Sequence, residues 1–276
     1  MFGRMFLARV DPLFLLLAAL ALDAAIGDPP WLYRHVPHPV ALLGRLISFF
    51  DRRLNRESRA ETERRWRGAL VVLVVAGIAA AVGWGIHALA RTWRWGWIVE
   101  IVAASTLVAQ RSLFEHVRDV AAGLASGGLA GGRAAVAKIV GRDPQSLDEH
   151  GVCRAAIESL FENFSDGVVA PVFWFVVLGL PGLAAAKAIN TLDSMIGHLT
   201  PRHRAFGEAA ARLDTAVNFV PARLAGVVIA AASAIAPSSG PLASLRVMWR
   251  DGAKHRSVNA GWPEAAAAGE IGRAHV

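Results

Sequence analysis

The hydrophobic residues of this chain are grouped in long uncharged runs, and the purest run covers residues 68–90. It carries no charged side chain and lies between Arg67 and Arg91. A bilayer core about 30 Å thick needs about 20 apolar residues at a helical rise of about 1.5 Å per residue, and only a helix satisfies its own backbone there. The pattern therefore predicts a membrane-spanning helix over this run.

Four other apolar runs repeat the signal with interruptions. Residues 12–27 contain Asp23, and residues 95–110 contain Glu100. Residues 167–186 contain Pro171 and Pro181, and residues 217–236 contain Arg223. Hydrophobic residues make up 54% of the chain and the mean hydropathy is +0.41, which is high for a soluble domain. The sequence predicts an all-α, polytopic integral membrane protein with about four or five membrane-embedded helices and helical cytoplasmic loops.

The densest basic tract, residues 45–67, comes directly before the purest apolar run. Lys and Arg mark the cytoplasmic side of membrane helices, so we expect this tract inside and the segment 111–166 inside as well. Acidic residues are interleaved with the basic ones, which favours a solvated helix. Despite a formal net charge of +7, no nucleic-acid partner is expected.

The first and second apolar runs carry further expectations. Residues 12–27 end at a Gly-Asp-Pro-Pro turn and not at a small-residue cleavage site, so we interpret them as a retained membrane helix. After the purest run, tryptophans cluster as in an interfacial aromatic belt. They are Trp84, Trp93, Trp95 and Trp97.

Glycine, proline and cysteine give three more local predictions. The glycine-rich stretch 127–133 predicts a break between two helices, and Pro171 with residues 179–182 predicts a kinked or re-entrant fold of the fourth run. Such a fold would return residues 187–204 to the cytoplasmic face. Cys153 is the only cysteine, which excludes an internal disulfide, and we expect it to be a small buried residue.

The most suggestive polar spacing lies in the segment 154–167. If it is helical, Glu158, Glu162 and Asp166 fall at i, i+4 and i+8 and form one acidic stripe. Neighbouring carboxylates repel each other, so a positive group is expected against them. Mg²⁺ prefers such oxygen ligands and bridges carboxylates to nucleotide phosphates. A solvated acidic face is the alternative.

Two later segments, 187–204 and 250–264, are also polar between apolar runs. Asp193 and His198 form a candidate metal or proton-transfer pair, with a structural role for the histidine as the alternative. Many charges beside apolar helices favour an anionic ligand. The candidate cations are Lys187, Arg202, Lys254 and Arg256. No phosphate-binding or dinucleotide-binding glycine motif is present in the sequence.

Six ordered strings carry a family resemblance that covers nearly the whole chain. They are LDAAIGDPPW, HPVALLGRLI, SLFEHVRDVA, IVGRDPQSLDEHGVCRAAIESLFENFSDGVVAPVFW, KAINTLDSMIGH and KHRSVNAGWPEAA. In this order they closely resemble the CobD/CbiB family of cobalamin biosynthesis proteins, the adenosylcobinamide-phosphate synthases. The resemblance implies a multi-pass enzyme of the cell inner membrane that uses ATP and Mg²⁺. It would join a propionate carboxylate of adenosylcobyric acid to the amine of (R)-1-amino-2-propanol O-phosphate, or of aminopropanol.

This activity gives the candidate residues their expected roles. Glu158, Glu162 and Asp166, with Asn163, would hold Mg²⁺, and Asp193 or His198 would assist proton transfer. The four candidate cations would bind ATP or aminopropanol phosphate. Expected partners are the lipid bilayer and other membrane enzymes of cobalamin assembly.

Two rival functions remain open at this point. A transporter would explain Asp23, Glu100 and Arg223 as charges along a substrate path, but the runs are few and show no internal repeat. A non-enzymatic membrane sensor resembling AmpE, a distant relative, is disfavoured because the ENFSDG and NTLDSMIGH strings are intact.

The C-terminal end departs from the family pattern. Val258 stands where the family typically has proline, and a longer continuation is typical of the family. The last seven residues, EIGRAHV, are those that sequencing-adapter DNA would encode. We expect one membrane domain over residues 1–269, a non-native tail over 270–276, and a truncated chain that is inactive for that reason.

Overall fold

The computed structural model describes residues 10–141, 143–235 and 240–271. Within these ranges every regular element is helical. In chain order the α-helices are α1 (Pro12–Ile26), α2 (Pro30–Tyr33), α3 (Pro39–Leu54), α4 (Glu61–Ala90), α5 (Gly96–Ser105), α6 (Gln110–Val136), α7 (Glu149–Phe164), α8 (Ala170–Ile196), α9 (Glu208–Val217), α10 (Phe219–Ala232), α11 (Pro241–Asp251) and α12 (Gly261–Ile271). Short 3₁₀ helices cover Pro144–Ser146 and Gly252–Lys254, and a π-helix covers Ser165–Val169.

The helices form two compact units. The first contains α1–α5, α8 and α9, from the described residues of 1–109 and 170–217, and the second contains α6, α7 and α10–α12. The expectation of a single membrane domain stays a prediction. Of the suspected non-native tail, residues 270 and 271 belong to α12, and 272–276 lie outside the described residues.

In the first unit α4 packs along α8. Val71 and Val75 of α4 are buried, whereas Leu73 on its other face is exposed, as expected of a helix that faces lipid on one side. Gly83 lies against the backbone of α8: a Cβ there would be only 2.9 Å from the carbonyl oxygen of Leu180. The helix begins seven residues before the apolar run, so the end of the basic tract is helical too.

The predicted interruption of the fourth apolar run is present in α8. Gly179 has φ 67° and ψ −159°, a left-handed backbone conformation that only glycine adopts readily, and Pro181 follows it. The helix is therefore kinked within residues 179–182, as predicted. Pro171 is not a break, because the backbone of α8 departs from helical dihedral angles only at Gly179.

In the second unit α6 is also interrupted, at Gly128, whose φ is 55°. The two halves of α6 approach closely, since a Cβ on Gly123 would lie 2.7 Å from the carbonyl oxygen of Gly131. The predicted glycine-rich break is thus confirmed. The halves of α6 contribute Val120 and Val136 to a core shared with α7.

Cys153 lies on the outer side of α7. It is exposed, and the prediction that it is buried was wrong. Val152, Ala155 and Ala156 supply the buried face of this helix, and residue 153 is turned about 100° from residue 152 at 3.6 residues per turn.

Three helical stretches of the described chain are long and apolar enough to cross a membrane. They are Glu61–Ala90, Gly96–Val136 and Glu149–Ile196, and Glu208–Val217 with Phe219–Ala232 gives a fourth if these two helices count as one span. The shorter apolar helix Pro12–Ile26 ends before the Gly-Asp-Pro-Pro turn, as predicted. The protein is a polytopic, all-α membrane protein.

Candidate active site

The three predicted acidic residues of the second unit, Glu158, Glu162 and Asp166, lie on α7 and on the π-helix that follows it. The side chain of Asp148 caps α7 by accepting a hydrogen bond from the backbone N–H of Gly151 over 2.7 Å. Phe161 and Phe164 pack against a core formed by α10, α11 and α12. Burial of these rings fixes the rotation of α7, and Glu162 is on its exposed side.

The π-helix Ser165–Val169 contains the last residue of the predicted stripe. Glu158 and Glu162 are one α-helical turn apart on α7, and Asp166 lies in the π-helix that follows. That the three carboxylates share one face stays a prediction. Short π segments frequently occur at functional sites.

Ser165 opens this π-helix and was not singled out from the sequence. Its side chain is 1% exposed, and its Oγ has no hydrogen-bond partner among the described residues. A buried hydroxyl without a partner is costly and uncommon in native proteins. No sequence pattern indicates it.

Asn163 is the neighbour of Glu162 on α7. Its side-chain amide donates to the carbonyl oxygen of Ser159 over 2.8 Å and lies 3.1 Å from the Ser159 hydroxyl. That hydroxyl in turn donates to the carbonyl oxygen of Ile139 over 2.9 Å. These bonds fix the orientation of the carboxamide and leave its oxygen as an acceptor on the exposed side of α7.

A preassembled metal site is not present in the described part of the chain, where no group of three or more His, Cys, Asp or Glu side chains is arranged to hold an ion. Glu158, Glu162 and Asp166 thus do not fit a metal site made by protein ligands alone. Mg²⁺ that arrives with a nucleotide needs only one or two carboxylates, since phosphate oxygens and water complete its octahedron. This narrower role of the three residues stays a prediction.

The predicted cations of the second unit differ in their surroundings. Lys254 pairs with Asp251 over 2.8 Å, and Arg250 pairs with the same carboxylate over 2.6 Å. Hydrogen bonds from Arg250 and then Lys254 hold the pKa of Asp251 well below its usual range. Arg256 is exposed in the turn before α12. It is therefore the more accessible cation for an anionic ligand.

That turn is shaped by its own polar side chains. His255 Nδ1 accepts from the backbone N–H of Ser257 over 3.1 Å, and the Ser257 hydroxyl accepts from the N–H of Ala260 over 3.2 Å.

The guanidinium of Arg223 on α10 lies over two aromatic rings, 3.5 Å from the centroid of Phe219 and 4.6 Å from that of Trp262. The intramembrane charge seen in the sequence thus has aromatic neighbours within its own unit.

In the first unit, Lys187 and Asp193 lie on the last turns of α8, and His198 follows the helix. His198 comes two residues after the end of α8 and is exposed, and a joint role of Asp193 and His198 stays a prediction. The carboxylate of Asp193 lies over the backbone of Gly197, where any Cβ would overlap its Oδ1. Glycine at 197 is therefore required for this position of the carboxylate.

Arg202 lies in the loop between α8 and α9 and is already paired. Its guanidinium donates to Oδ2 of Asp51 over 2.8 Å, and its carbonyl oxygen accepts from Asn55 over 3.0 Å and from Arg64. Arg64 also donates to Oδ1 of Asn55 over 2.9 Å. No sequence pattern indicates a role for Asp51, Asn55 or Arg64. Anion binding by Arg202 stays a prediction, and this contact gives it a structural role.

Comparison with known proteins gives one consistent family. The family model described as CobD/Cbib protein matches residues 16–274. A cobalamin biosynthesis protein CobD of Sinorhizobium sp is 52% identical over 94% of this chain and 81% of its own length. Proteins of the same name from Brucella suis and Rhodobacter capsulatus are 50% and 48% identical over 95% and 93% of this chain and 81% and 79% of their own lengths. No solved structure matches the chain significantly. The chain belongs to the CobD/Cbib protein family.

Proposed function

We propose that this protein is an adenosylcobinamide-phosphate synthase of the cell inner membrane. It joins adenosylcobyric acid to (R)-1-amino-2-propanol O-phosphate, or to aminopropanol, with ATP and Mg²⁺. The observation that carries the proposal is the family match over residues 16–274, together with about half identity to proteins named cobalamin biosynthesis protein CobD. The apolar helices agree with action at a membrane.

The chemistry requires activation of a carboxylate that has no leaving group. An oxygen of the propionate carboxylate forms a bond to the γ-phosphorus of ATP, and ADP leaves. The amine nitrogen then forms a bond to the carbonyl carbon, phosphate leaves, and the nitrogen gives up a proton. Such a reaction needs groups that stabilise negative charge on the phosphates and a base near the amine.

The acidic segment of the second unit supplies oxygen ligands of the required kind. Glu162 and Asp166, with the carboxamide oxygen of Asn163, would hold the Mg²⁺ that accompanies ATP, and Glu158 would support them from the preceding turn. Mg²⁺ bound there would neutralise charge on the phosphates. In the same unit Lys254 and Arg256 would contact phosphate oxygens, Arg256 more directly because Lys254 is paired with Asp251.

The residues after the kink in α8 supply the proton-transfer candidates. Asp193 with His198 would accept the proton of the amine, since Gly197 leaves room for the carboxylate and His198 is exposed. Lys187 and Arg202 would bind phosphate groups. Phosphate binding by Arg202 requires this side chain to give up its contact with Asp51.

The transporter alternative loses support from two of the three charges that suggested it, Glu100 and Arg223. Nδ1 of His87 lies 2.8 Å from Oε1 of Glu100, and the guanidinium of Arg223 lies over the rings of Phe219 and Trp262. These two charges thus have neighbours that explain them without a substrate path. The AmpE-like sensor has no such observation against it, and the experiment below separates it from an enzyme.

The test is complementation of a bacterial strain that lacks its own synthase and needs cobalamin for growth. A version of the protein that carries the C-terminal continuation typical of the family is expressed in this strain, adenosylcobyric acid and aminopropanol phosphate are supplied, and the product is detected by mass spectrometry in isolated membranes. We expect growth and ATP-dependent formation of adenosylcobinamide phosphate. Cobinamide supplied directly serves as the control, because it bypasses the step. Membranes that contain the protein but form no product would contradict an enzymatic role.

A further inference from the structure

The first unit contains a cavity of about 630 Å³ that the proposed synthesis does not use. It lies where α4 ends and α5 begins, with further walls from α1 and α8. Its volume is within the range of about 300–1,000 Å³ that is typical of small-molecule sites. Leu15, Phe175 and Trp97 give it an apolar wall.

Two arginines also line this cavity. Arg91 and Arg94 are exposed, and neither forms an ion pair with a carboxylate within the described ranges of the chain. The guanidinium of Arg94 lies 5.2 Å from the ring centroid of Trp95, a cation–π contact that limits its movement. Unpaired guanidinium groups beside an apolar wall favour a ligand that is both anionic and apolar.

The buried acid of the cavity does not argue against an anionic ligand. Glu100 is 5% exposed, and its Oε1 lies 2.8 Å from Nδ1 of His87. The carboxylate therefore already has a hydrogen-bond partner. The cavity therefore has two arginine charges and one carboxylate, and this carboxylate already has a hydrogen-bond partner within the protein.

The cavity also lies at a particular depth of the membrane. Helix α4 is one of the candidate spans, and it ends at Ala90, next to Arg91. Trp93 and Trp95, which follow, are exposed at 56% and 48%. Exposed tryptophans at the end of a span mark the interface where lipid headgroups lie.

We propose that this Arg91/Arg94 cavity binds one anionic phospholipid. The phosphate contacts the two guanidinium groups, which match its oxygens with paired donors, and an acyl chain lies along the apolar wall. Negatively charged headgroups are bound in preference to zwitterionic ones. The site is independent of the proposed synthesis, because none of its residues belongs to the candidate active site.

The full chain, purified in detergent, tests this by native mass spectrometry with added phosphatidylglycerol or phosphatidylcholine. We expect one tightly held phosphatidylglycerol per chain and weaker binding of phosphatidylcholine. In the double variant Arg91→Gln, Arg94→Gln, affinity for phosphatidylglycerol falls about tenfold or more, since two charge-assisted contacts are lost. Binding of phosphatidylcholine changes little.

A matched control removes two exposed arginines elsewhere, Arg52→Gln with Arg246→Gln, and should bind phosphatidylglycerol like the wild type. The variant Arg91→Lys, Arg94→Lys keeps the charge and should retain much of the preference even if the glutamine variant is poorly folded. Equal affinity for the two lipids, or equal loss in the control, would overturn the proposal. Displacement of the lipid by millimolar inorganic phosphate would also overturn it, since the site would then bind free phosphate.

Discussion

Arg202 donates a hydrogen bond to Oδ2 of Asp51 over 2.8 Å, which joins the loop after α8 to α3. The backbone of the same loop is held by two largely buried side chains, since the carbonyl oxygen of Arg202 accepts from Asn55 and Arg64. Asn55 and Arg64 are 3% and 7% exposed. The loop is thus held in place by hydrogen bonds to the side chains of Asp51, Asn55 and Arg64.

Replacing Asp51 with alanine should therefore destabilise the first unit. The change removes the acceptor of Arg202 and of the Asn55 side chain, and we expect the free energy of unfolding to fall by about 1–3 kcal/mol. Thermal unfolding of the purified protein in detergent measures it. Arg212→Ala is the control, because Arg212 is 80% exposed and its pair with Glu208 should contribute under about 1 kcal/mol. Equal losses of unfolding free energy in both variants would show that the contacts of Asp51 contribute no more than an exposed ion pair.

The same carboxylate predicts a pH dependence of stability. Burial alone would raise the pKa of Asp51, but hydrogen bonds from Asn55 and Arg202 and the charges of Arg202 and His203 outweigh it and lower the pKa below its usual 3.8. A carboxyl group with a lowered folded-state pKa contributes stability above its unfolded pKa and loses it as the pH falls through the folded value. We expect the stability gap between wild type and Asp51→Asn to be constant at neutral pH and to shrink below about pH 4. A gap that persists at about pH 2 would contradict this origin.

Gly197 should be needed for the position of Asp193. A Cβ at residue 197 would overlap Oδ1 of Asp193, so Gly197→Ala must move the carboxylate. We expect a loss of synthase activity of about tenfold or more, because small displacements of a reacting group have large effects on rate. Gly77→Ala is the control, since nothing lies within 4 Å of its added Cβ. Activity is measured as formation of adenosylcobinamide phosphate, and an unaffected Gly197→Ala enzyme would remove Asp193 from the mechanism.

The membrane helices and their interruptions were predictable because each has one local physical cause. An uncharged run as long as 68–90 has few stable solutions other than a membrane helix, and the structure has α4 there. Gly128 and Gly179 both adopt positive φ, a conformation that other residues avoid, at the two predicted breaks. In these cases the residue type itself carries the information.

Other features were not predictable, because their causes are not local. The π-helix Ser165–Val169 leaves no mark in residue type. The contact between Asp51 and Arg202 joins residues 151 positions apart, so no spacing rule finds it. Local patterns therefore predicted a helix over the acidic segment but not the π-helical turn that contains Asp166.

The carboxylates of that segment can be tested individually. We expect Glu162→Gln and Asp166→Asn each to reduce synthase activity by about a hundred- to a thousandfold, since loss of charge stabilisation in the transition state has effects of this size. Excess Mg²⁺ should partly restore the less severe variant. Activity of purified membranes at several Mg²⁺ concentrations measures both effects.

The control for these variants is Glu149→Gln. Glu149 is an exposed carboxylate in the first turn of the same helix, and its loss should leave turnover almost unchanged. Expression and membrane insertion should be equal in all three variants. Near wild-type turnover of both Glu162→Gln and Asp166→Asn would remove the acidic segment from the active site.

The contacts of the first unit also bear on the side of the membrane that the loop between α8 and α9 occupies. Arg204 pairs with Glu61, the first residue of α4, over 2.9 Å, and a Cβ on Gly68 would overlap the carbonyl oxygen of Phe206. The loop thus lies at the N-terminal end of α4, beside the basic tract. The C-terminal end of this 30-residue helix is about 45 Å away.

Since basic tracts stay in the cytoplasm, we predict that this loop is cytoplasmic and that Thr92, just after α4, is periplasmic. Single cysteines are introduced as Leu199→Cys and Thr92→Cys, both at exposed positions. The background is Cys153→Ser, because the native cysteine is exposed and would itself react. A membrane-impermeant maleimide added to intact spheroplasts should label Thr92→Cys at once and Leu199→Cys only after permeabilisation. Immediate labelling of Leu199→Cys would mean that the loop and the basic tract are both outside, and the positive-inside assignment of the whole chain would then be reversed.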